Sequence, residues 1–228
     1  MIEFINVNKT YDNKHFALND VNIAIERGEF VFLVGPSGAG KSTFIKLLLK
    51  EIEPSSGTIK LNDIVVNDIR RKEIPFYRRK IGMVYQDFRL IPTLNVYENV
   101  AFALRVIESA PREIRKKVPM ALSLVGLSSK FKHFPNELSG GEQQRVSIAR
   151  AIVNSPSIII ADEPTGNLDP ETARDIMSTL EDINKSGTTI LMATHAKDIV
   201  DSMKKRVVAI EKGQIMRDEE RGKYGYED

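Results

Sequence analysis

The chain has 228 residues, with 33 Lys and Arg against 31 Asp and Glu, three His, and neither Cys nor Trp. The length allows one or two compact domains, and 42% hydrophobic with 28% charged residues is typical of a globular protein. A net charge of +2 argues against bulk binding to nucleic acid or anionic membranes as the main activity. The absence of Cys excludes disulfides, thiolate metal sites and thiol catalysis.

No apolar run approaches the roughly 20 residues of a membrane-spanning helix. The longest runs, Phe30–Val34 and Ile158–Ala161, have the length of strands. The first residues carry an early acid, Glu3, and no basic region, so we expect no secretory signal peptide. Composition alone therefore predicts a soluble, intracellular protein.

The first part of the chain has the patterns of strands around a single helix. Apolar and polar residues alternate where half-buried strands are expected, and residues 30–34 are apolar throughout, as in a strand covered on both faces. Asn62-Asp63 between two short runs predicts a hairpin turn. The predicted elements are strands at 2–7, 21–27, 30–34, 57–61, 64–66 and 81–85, and a helix at 41–51.

The middle of the chain, residues 87–154, has helical periodicity and no pattern typical of strands. Pro111 suits the start of a helix, whereas Pro119 predicts an interruption or a kink. The predicted helices are Val96–Ile107, Arg112–Val125 and Gly141–Val153.

After Pro156 strands and helices alternate again, which indicates a mostly parallel sheet. The predicted strands are 158–162, 188–193, 206–210 and 214–217, and the helices are 170–184 and 197–203. The fold class is therefore α/β, with a core of residues 1–86 and 155–217 that includes a small N-terminal antiparallel β subdomain. Residues 87–154 form a helical subdomain, and we expect the charged tail, 218–228, to be mobile.

The segment Gly35–Ser42 matches the phosphate-binding pattern G-x-x-x-x-G-K-[ST]. It follows a predicted strand and opens a predicted helix, so its backbone N–H groups and the helix N-terminus would face phosphate oxygens. Lys41 would reach the β- and γ-phosphates, and the Ser42 hydroxyl would bind Mg²⁺. The alternative is a glycine-rich turn that fits the pattern by chance.

A second acidic segment ends the apolar strand at Ile158–Asp162. Ligands of open α/β sheets bind at the carboxyl ends of the strands, so Asp162 would lie near a bound metal and Glu163 near an attacking water. An ordinary acidic turn is the alternative, and the phosphate-binding loop favours the functional interpretation.

Further segments, together with these two, resemble the ATP-binding cassette (ABC) ATPase family over nearly the whole chain. Leu138–Arg145 (LSGGEQQR) is similar to the family's signature motif, and Gln86 to its Q-loop glutamine. Gly166–Asp169 resembles the D-loop, and His195 the switch histidine. Tyr11, 24 residues before the phosphate-binding loop, stands where the family has an aromatic residue that stacks on adenine. The resemblance implies a P-loop NTPase (RecA-like) fold, ATP hydrolysis, and ATP and Mg²⁺ as cofactors.

The resemblance also implies a role for each motif residue. Glu163 would be the general base and His195 would contact the γ-phosphate, with Lys41 as the third catalytic residue. Alternatively, Glu163 only balances charge and His195 is structural, as a lone histidine more often is. The Mg²⁺ ligands would be Ser42, Gln86 and Asp162. The implied ATP-binding residues are Tyr11, Gly35, Pro36, Ser37, Gly38, Ala39, Gly40, Lys41, Ser42, Thr43, Gln86, Ser139, Gly140, Gly141 and Asp169.

In the family, each signature motif binds the γ-phosphate held by the opposite subunit, which implies an ATP-dependent homodimer. Ser139, Gly140 and Gly141 would supply a hydroxyl and amides at a helix N-terminus. Ser139 and Glu142 also fit a capping box, which is a purely structural alternative, although both roles can hold at once.

Tyr85–Leu90 and Val96–Leu104 resemble the cell-division members of the family, which implies an integral membrane partner. The partner would dock on the Gln86–Leu90 region and the helical insert, at the cytoplasmic face of the cell membrane. Phe88, Leu90, Tyr97 and Phe102 are candidate contacts. The alternative is that these residues form the insert's core, an interpretation we favour for Phe102.

Other functions stay open at this stage. Ala161–Pro170 also resembles ATPases of lipoprotein release and macrolide export, and an ATP-gated binding module with little turnover alone is a further alternative. The basic clusters 70–72, 78–80, 112–117 and 204–206 are dispersed among acids, so we expect solvated faces and no nucleic-acid partner. His15 and His133 have no motif around them, and we expect surface or structural roles.

Overall fold

The computed structural model describes residues 1–11 and 16–225. The strands are β1 (Ile2–Thr10), β2 (Phe16–Ile25), β3 (Phe30–Val34), β4 (Ser56–Leu61), β5 (Ile64–Val65), β6 (Ile81–Tyr85), β7 (Ile158–Asp162), β8 (Thr189–Ala193), β9 (Arg206–Glu211) and β10 (Gln214–Glu219). The helices are α1 (Lys41–Leu48), α2 (Ile74–Arg78), α3 (Val96–Val106), α4 (Pro111–Leu124), α5 (Gly140–Ile152), α6 (Pro170–Lys185) and α7 (Lys197–Met203), with 3₁₀ turns at Val66–Asp68 and Pro135–Glu137.

The chain divides into two compact units. Residues 1–78 and those from 189 onward form the first unit, and residues 79–188 form the second. The division differs from the predicted one at 87 and 154, because β6, β7 and α6 group with the helices of the middle segment.

The first unit contains an antiparallel sheet with the strand order β2-β1-β4-β5. Ile2 of β1 lies opposite Ile25 of β2 and Leu61 of β4, and the side chains of all three are buried. The predicted hairpin is present, and Asn62 in its turn has a left-handed φ of 54°, a conformation that asparagine tolerates well. The small antiparallel sheet expected from the sequence is therefore confirmed.

The strands β10, β9, β3 and β8 lie side by side in the same unit. The central strand β3 runs parallel to β9 and β8, with Leu33 opposite Val208 and Ala193. Every residue of β3 is buried, as its continuous apolar sequence predicts for a strand covered on both faces. The edge strand β10 runs antiparallel to β9.

Helix α1 buries the face that its periodicity predicts, and the ring of Phe44 stacks on Phe4 with 4.0 Å between centroids. The helix ends at Leu48, three residues earlier than predicted, and Lys50 just beyond it has a left-handed φ of 53°. Helix α2 was not predicted, since five residues are too few to show a periodicity. Its buried Tyr77 donates a hydrogen bond to the Leu48 carbonyl.

In the second unit, β6 and β7 are parallel, with Tyr85 opposite Asp162. No strand occurs in residues 87–154, all of which the structure describes, so the predicted helical character of this segment is confirmed. Pro119 does not interrupt α4, which continues to Leu124. Helix α3 begins at a capping box in which Asn95 accepts from the Glu98 amide and Glu98 accepts from the Asn95 amide.

The last strand extends further than predicted, to Glu219. Beyond it, the Arg217 guanidinium donates to the carbonyls of Lys223 and Tyr224, and the Tyr224 amide donates to Asp201. Residues 218–224 are thus held by a strand and by hydrogen bonds, which corrects our expectation of a mobile tail for this stretch. The remaining predicted tail, from 226, lies outside the described residues. In the part of the chain that the structure describes, no helix is both long and apolar enough to cross a bilayer.

Candidate functional site

The phosphate-binding loop connects β3 to α1 in the first unit. Gly35 has a φ of 148°, and a Cβ atom there would overlap the backbone oxygen of Ile210. Gly40 has a φ of 120°, and a Cβ atom would lie 2.6 Å from the Ala17 carbonyl oxygen. Both ends of the loop therefore require glycine for backbone packing, independently of any ligand.

The loop presents donors at the start of α1. The first hydrogen bond within this helix runs from the Phe44 amide to the Gly40 carbonyl, so the helix does not use the amides of Ser42 and Thr43. The Lys41 ammonium donates to the carbonyls of Gly35 (2.6 Å) and Pro36 (3.1 Å), which holds it over the loop. The loop therefore has the features of an anion-binding site, because it combines amides that the helix does not use, a helix N-terminus and a cation.

Two other predicted residues lie in the same unit as this loop. Tyr11 is 41% exposed, its hydroxyl lies 3.5 Å from the Thr43 hydroxyl, and the Lys9 ammonium is 5.3 Å from its ring centroid. Leu33 of β3 is paired in parallel with Ala193 of β8. The exposed His195 lies two residues beyond Ala193, as Gly35 lies two residues beyond Leu33. The register therefore places His195 level with the start of the loop.

The second unit brings together Gln86, Asp162 and Glu163 at the carboxyl ends of β6 and β7. Glu163 is half-buried and has a left-handed φ of 49°, a conformation that is uncommon for residues other than glycine. The Gln86 side-chain amide donates to Asn167 Oδ1 (3.2 Å), and Asn167 Nδ2 donates to the Gln86 carbonyl (3.1 Å). Sequence reasoning assigned no role to Asn167, although it lies within the D-loop segment; the structure shows that it orients Gln86.

The predicted Mg²⁺ ligands are a hydroxyl, an amide oxygen and a carboxylate oxygen, which are the donors that this cation prefers. The Asn167 contact uses the amide nitrogen of Gln86, and the side-chain oxygen remains for a ligand. Across residues 1–11 and 16–225, no three His, Cys, Asp or Glu side chains are grouped as a protein-only metal site. This donor chemistry fits Mg²⁺ held jointly by a few side chains and substrate phosphates.

Ser139 forms the predicted capping box at the start of α5. Its hydroxyl accepts from the Glu142 amide (3.2 Å), and the Glu142 carboxylate accepts from the Ser139 amide (2.9 Å). The amide of Ser139, and then Lys130 at 3.1 Å, lower the pKa of Glu142. The structural alternative for this motif is therefore present, and Ser139 remains exposed.

Asp169 begins α6 in the same way, since its Oδ1 accepts from the amides of Glu171 (3.1 Å) and Thr172 (3.0 Å). The hydrogen bonds from Thr172 are the main reason that its pKa is lowered. Both of these backbone amides donate to the same carboxylate oxygen.

Gln144 is a further residue that sequence reasoning left without a role. It is fully buried on α5, and its Nε2 donates to the carbonyls of Pro164 (2.6 Å) and Tyr85 (3.4 Å). Tyr85 is the last residue of β6, directly before Gln86, and Pro164 lies two residues after Asp162, the last residue of β7. Helix α5 is thereby fastened to both strand ends; only its position within the signature segment could have drawn attention to it.

The aromatic residues of the middle segment differ in exposure. Phe102 is 42% exposed, so our preference for a core role was wrong: it points away from the buried face formed by Val100 and Leu104. Phe88, Leu90 and Tyr97 are half-buried.

The histidines without a motif differ in what can be said of them. His133 is half-buried, and its carbonyl accepts from the Val96 amide, a structural role. His15 lies outside the described residues.

Comparison with known proteins gives one family. The family model described as "ABC transporter" matches residues 18–166. Curated proteins named "Cell division ATP-binding protein FtsE" are 60% identical in Bacillus subtilis (99% of this chain, 99% of that protein), 55% in Mycobacterium tuberculosis (99% and 98%) and 52% in Streptococcus pneumoniae (100% and 99%).

Solved structures agree with this family. A dimeric ATP-binding cassette in a post-hydrolysis state, bound to ADP and Pi, is 38% identical with a TM-score of 0.86 and covers 99% of this chain and 100% of that one. A second structure, cbiO1 from Clostridium perfringens, is described as part of the ABC transporter complex cbiONQ; it is 34% identical with a TM-score of 0.90, covering 96% of this chain and 88% of that one. The predicted α/β fold, with a mostly parallel core and a small antiparallel sheet, is therefore confirmed, and the chain belongs to the ABC transporter family as one of its ATP-binding, ATP-hydrolysing cassettes.

Proposed function

We propose that this chain is the ATP-hydrolysing subunit of a membrane ABC complex of cell division, and that it acts on an FtsX-like integral membrane protein. The observation that carries the proposal is the full-length identity of 52–60% to relatives named for cell division and ATP binding. Its location would be the cytoplasmic face of the membrane, where the partner would hold it.

In the proposed mechanism, the loop of the first unit binds the triphosphate. The Lys41 ammonium exchanges its carbonyl partners, Gly35 and Pro36, for phosphate oxygens, and the helix N-terminus adds its dipole. The Tyr11 ring has the exposure needed for stacking on adenine. His195, level with the start of the loop, would contact the γ-phosphate.

Glu163 would accept the proton of the attacking water, and Asp162, Gln86 and Ser42 would hold Mg²⁺, directly or through water. When bound, Mg²⁺ neutralises the charge that develops on the phosphate oxygens. Asn167 keeps the Gln86 side chain in one orientation, so its side-chain oxygen would already be oriented when a ligand binds.

We propose further that ATP closes a homodimer in which Ser139, Gly140 and Gly141 of one chain meet the nucleotide of the other. One structurally similar cassette, 38–39% identical to this chain, is described as dimeric in two solved structures, which supports this assembly. The exposure of Ser139 at the N-terminus of α5 leaves its hydroxyl accessible to such a ligand.

The test compares ATP hydrolysis by the wild type and by Glu163→Gln, which keeps the shape of the side chain but removes the base. Hydrolysis should be Mg²⁺-dependent and fall by at least about a hundredfold in the variant, the lower range for loss of a general base. ATP should then trap the variant as a dimer in size-exclusion chromatography with light scattering. Wild-type hydrolysis by the variant would refute the catalytic assignment.

The division role is tested separately, by purification from membranes that contain the FtsX-like protein. Recovery of this protein with the chain, and a higher hydrolysis rate in the complex, are expected. Recovery of a different transporter subunit instead would refute the division role and leave the ATPase assignment intact.

A further inference from the structure

The segment that follows β6 holds an unusual backbone conformation. Phe88 and Arg89 are consecutive residues with left-handed φ angles of 57° and 48°, and neither is glycine. L-residues with a Cβ atom disfavour this region, and two in succession need support from the surrounding structure. The segment begins with Gln86, so the backbone conformation of the segment affects the direction in which the Gln86 side chain points.

A half-buried cation supports this conformation. Arg150, near the end of α5, donates from its two terminal nitrogens to the carbonyls of Arg89 (2.5 Å) and Phe88 (2.8 Å). A guanidinium has a rigid planar fork of donors, so it holds the directions of two successive carbonyls more firmly than the rotatable donors of an ammonium group do. Burial lowers the pKa of Arg150, as expected for a cation withdrawn from water.

The same helix contacts the segment at two other points. Gln144 donates to the Tyr85 carbonyl, one residue before Gln86. At the start of the helix, a Cβ atom on Gly140 would lie 3.9 Å from Cζ of the Phe88 ring. Helix α5 is therefore bonded to the end of β6 through its middle and to Phe88 and Arg89 through its last turn, and its first turn, which carries the signature motif, lies near the Phe88 ring.

We infer that Arg150 is a positioning residue that fixes Phe88 and Arg89 in their left-handed conformation, so that the Gln86 segment and the signature helix α5 move as one body. Nucleotide contact at Gln86 would then be transmitted to Ser139 and Gly140 through the guanidinium. The inference rests on the proposed role of Gln86 in the ATPase, and it adds a residue that touches neither nucleotide nor metal in that proposal.

The test is a double-mutant cycle of ATP hydrolysis against Mg²⁺ concentration, for Gln86→Ala, Arg150→Met and the double variant. Arg150→Met should lower kcat on the order of tenfold to a hundredfold, as small misplacements of an active-site group do, and raise the half-saturating Mg²⁺ concentration as Gln86→Ala does. If Arg150 acts through Gln86, the double variant is no slower than Gln86→Ala within about twofold, because coupled residues are not additive. Losses that multiply would overturn the inference.

A matched control exists in the first unit. Arg78 donates to two successive carbonyls, Leu49 (2.9 Å) and Lys50 (3.2 Å), and Lys50 is also left-handed. Arg78→Met removes the same kind of clamp elsewhere, so it should lower the unfolding midpoint but leave kcat and the Mg²⁺ dependence unchanged. An equal loss of kcat in Arg78→Met would show that Arg150 contributes only general stability, which also overturns the inference.

Arg150→Lys decides the question if Arg150→Met does not fold. It keeps the charge but loses the rigid planar fork, so an intermediate kcat with a raised Mg²⁺ requirement is expected, whereas wild-type behaviour would refute the positioning role. Failure of the proposed function is distinguishable, since it would appear as undiminished hydrolysis by Glu163→Gln. Failure of this inference alone would leave Gln86→Ala and Glu163→Gln impaired and Arg150→Met normal.

Discussion

Substitutions of Ser139 separate the two roles available to the signature motif, a helix cap and a phosphate contact. The cap consists of one hydrogen bond from the Glu142 amide at 3.2 Å, and the reciprocal bond from the Ser139 amide to Glu142 survives any change of the side chain. Loss of an N-cap hydroxyl typically costs about 1 kcal/mol, and this bond is long and exposed, so we expect about 0.5–1 kcal/mol for Ser139→Ala. A chain of this size would lose about 1–4 °C in Tm.

That loss is too small to change the folded fraction, since domains are stable by about 5–15 kcal/mol. If the cap were the only role, Ser139→Ala would hydrolyse ATP at nearly the wild-type rate. A hydrogen bond to a charged group contributes about 1.5–3 kcal/mol, so loss of a γ-phosphate contact predicts a decrease of about 10- to 150-fold. The two roles therefore differ in measured rate by more than an order of magnitude.

Ser139→Asp makes the distinction sharper, because aspartate is an equally good N-cap but carries a negative charge. The variant should unfold at or above the wild-type temperature and yet form no ATP-dependent dimer in the Glu163→Gln background. Thermal unfolding by circular dichroism and light scattering with ATP measure the two properties on one sample. A Ser139→Asp protein that dimerises normally, or a Ser139→Ala protein with full activity, would refute the phosphate contact.

The other predictions concern packing and pH. Gly35→Ala should lower the free energy of unfolding, measured in urea, by about 3 kcal/mol or more, because its Cβ atom would overlap the Ile210 oxygen. At Gly38 a Cβ atom would have no neighbour within 4 Å, so Gly38→Ala should lower the free energy of unfolding by only about 1–2 kcal/mol, through backbone strain. Equal losses in the two variants would contradict the overlap. Burial raises the pKa of Tyr77 above its ordinary value of 10.0, so the unfolded chain ionises first and stability should fall as the pH rises above about 10. Tyr77→Phe should cost about 1 kcal/mol at pH 7, with the Leu48 carbonyl unpaired, and weaken that alkaline loss; an unchanged alkaline slope in urea unfolding would contradict it.

The local hydrophobic pattern was sufficient to predict the elements in which burial decides which positions are apolar. The run Phe30–Val34 is apolar because β3 is covered on both sides, and Phe44, Leu47 and Leu48 share a face because α1 packs on one side only. Element ends were less predictable. Helix α1 ends shortly before Lys50, which has a left-handed conformation. The sequence does not predict this end, because lysine rarely adopts a left-handed conformation.

The side chains of the site were predictable by type, but their supporting contacts were not. Glu163, Lys41 and the glycines occur in motifs with fixed spacing, whereas Asn167 and Arg150 meet their partners only after β6, α5 and the D-loop have packed together. The prediction that Phe102 lies in the core was wrong for a similar reason. When a helix has apolar residues on more than one face, its sequence does not indicate which face the core will cover.

The two glycines of the signature motif have different physical reasons to be glycine. A Cβ atom on the buried Gly141 would overlap Cγ2 of Thr172, so packing between α5 and α6 alone requires glycine there. A Cβ atom on Gly140 would lie 3.3 Å from Cδ2 of Leu168, the far end of a flexible side chain that can shift by a few tenths of an ångström. Packing therefore does not demand glycine at 140, and any strict requirement there must come from a ligand that approaches the backbone of the first turn. Gly140, rather than Gly141, is the glycine whose substitution reports on nucleotide binding.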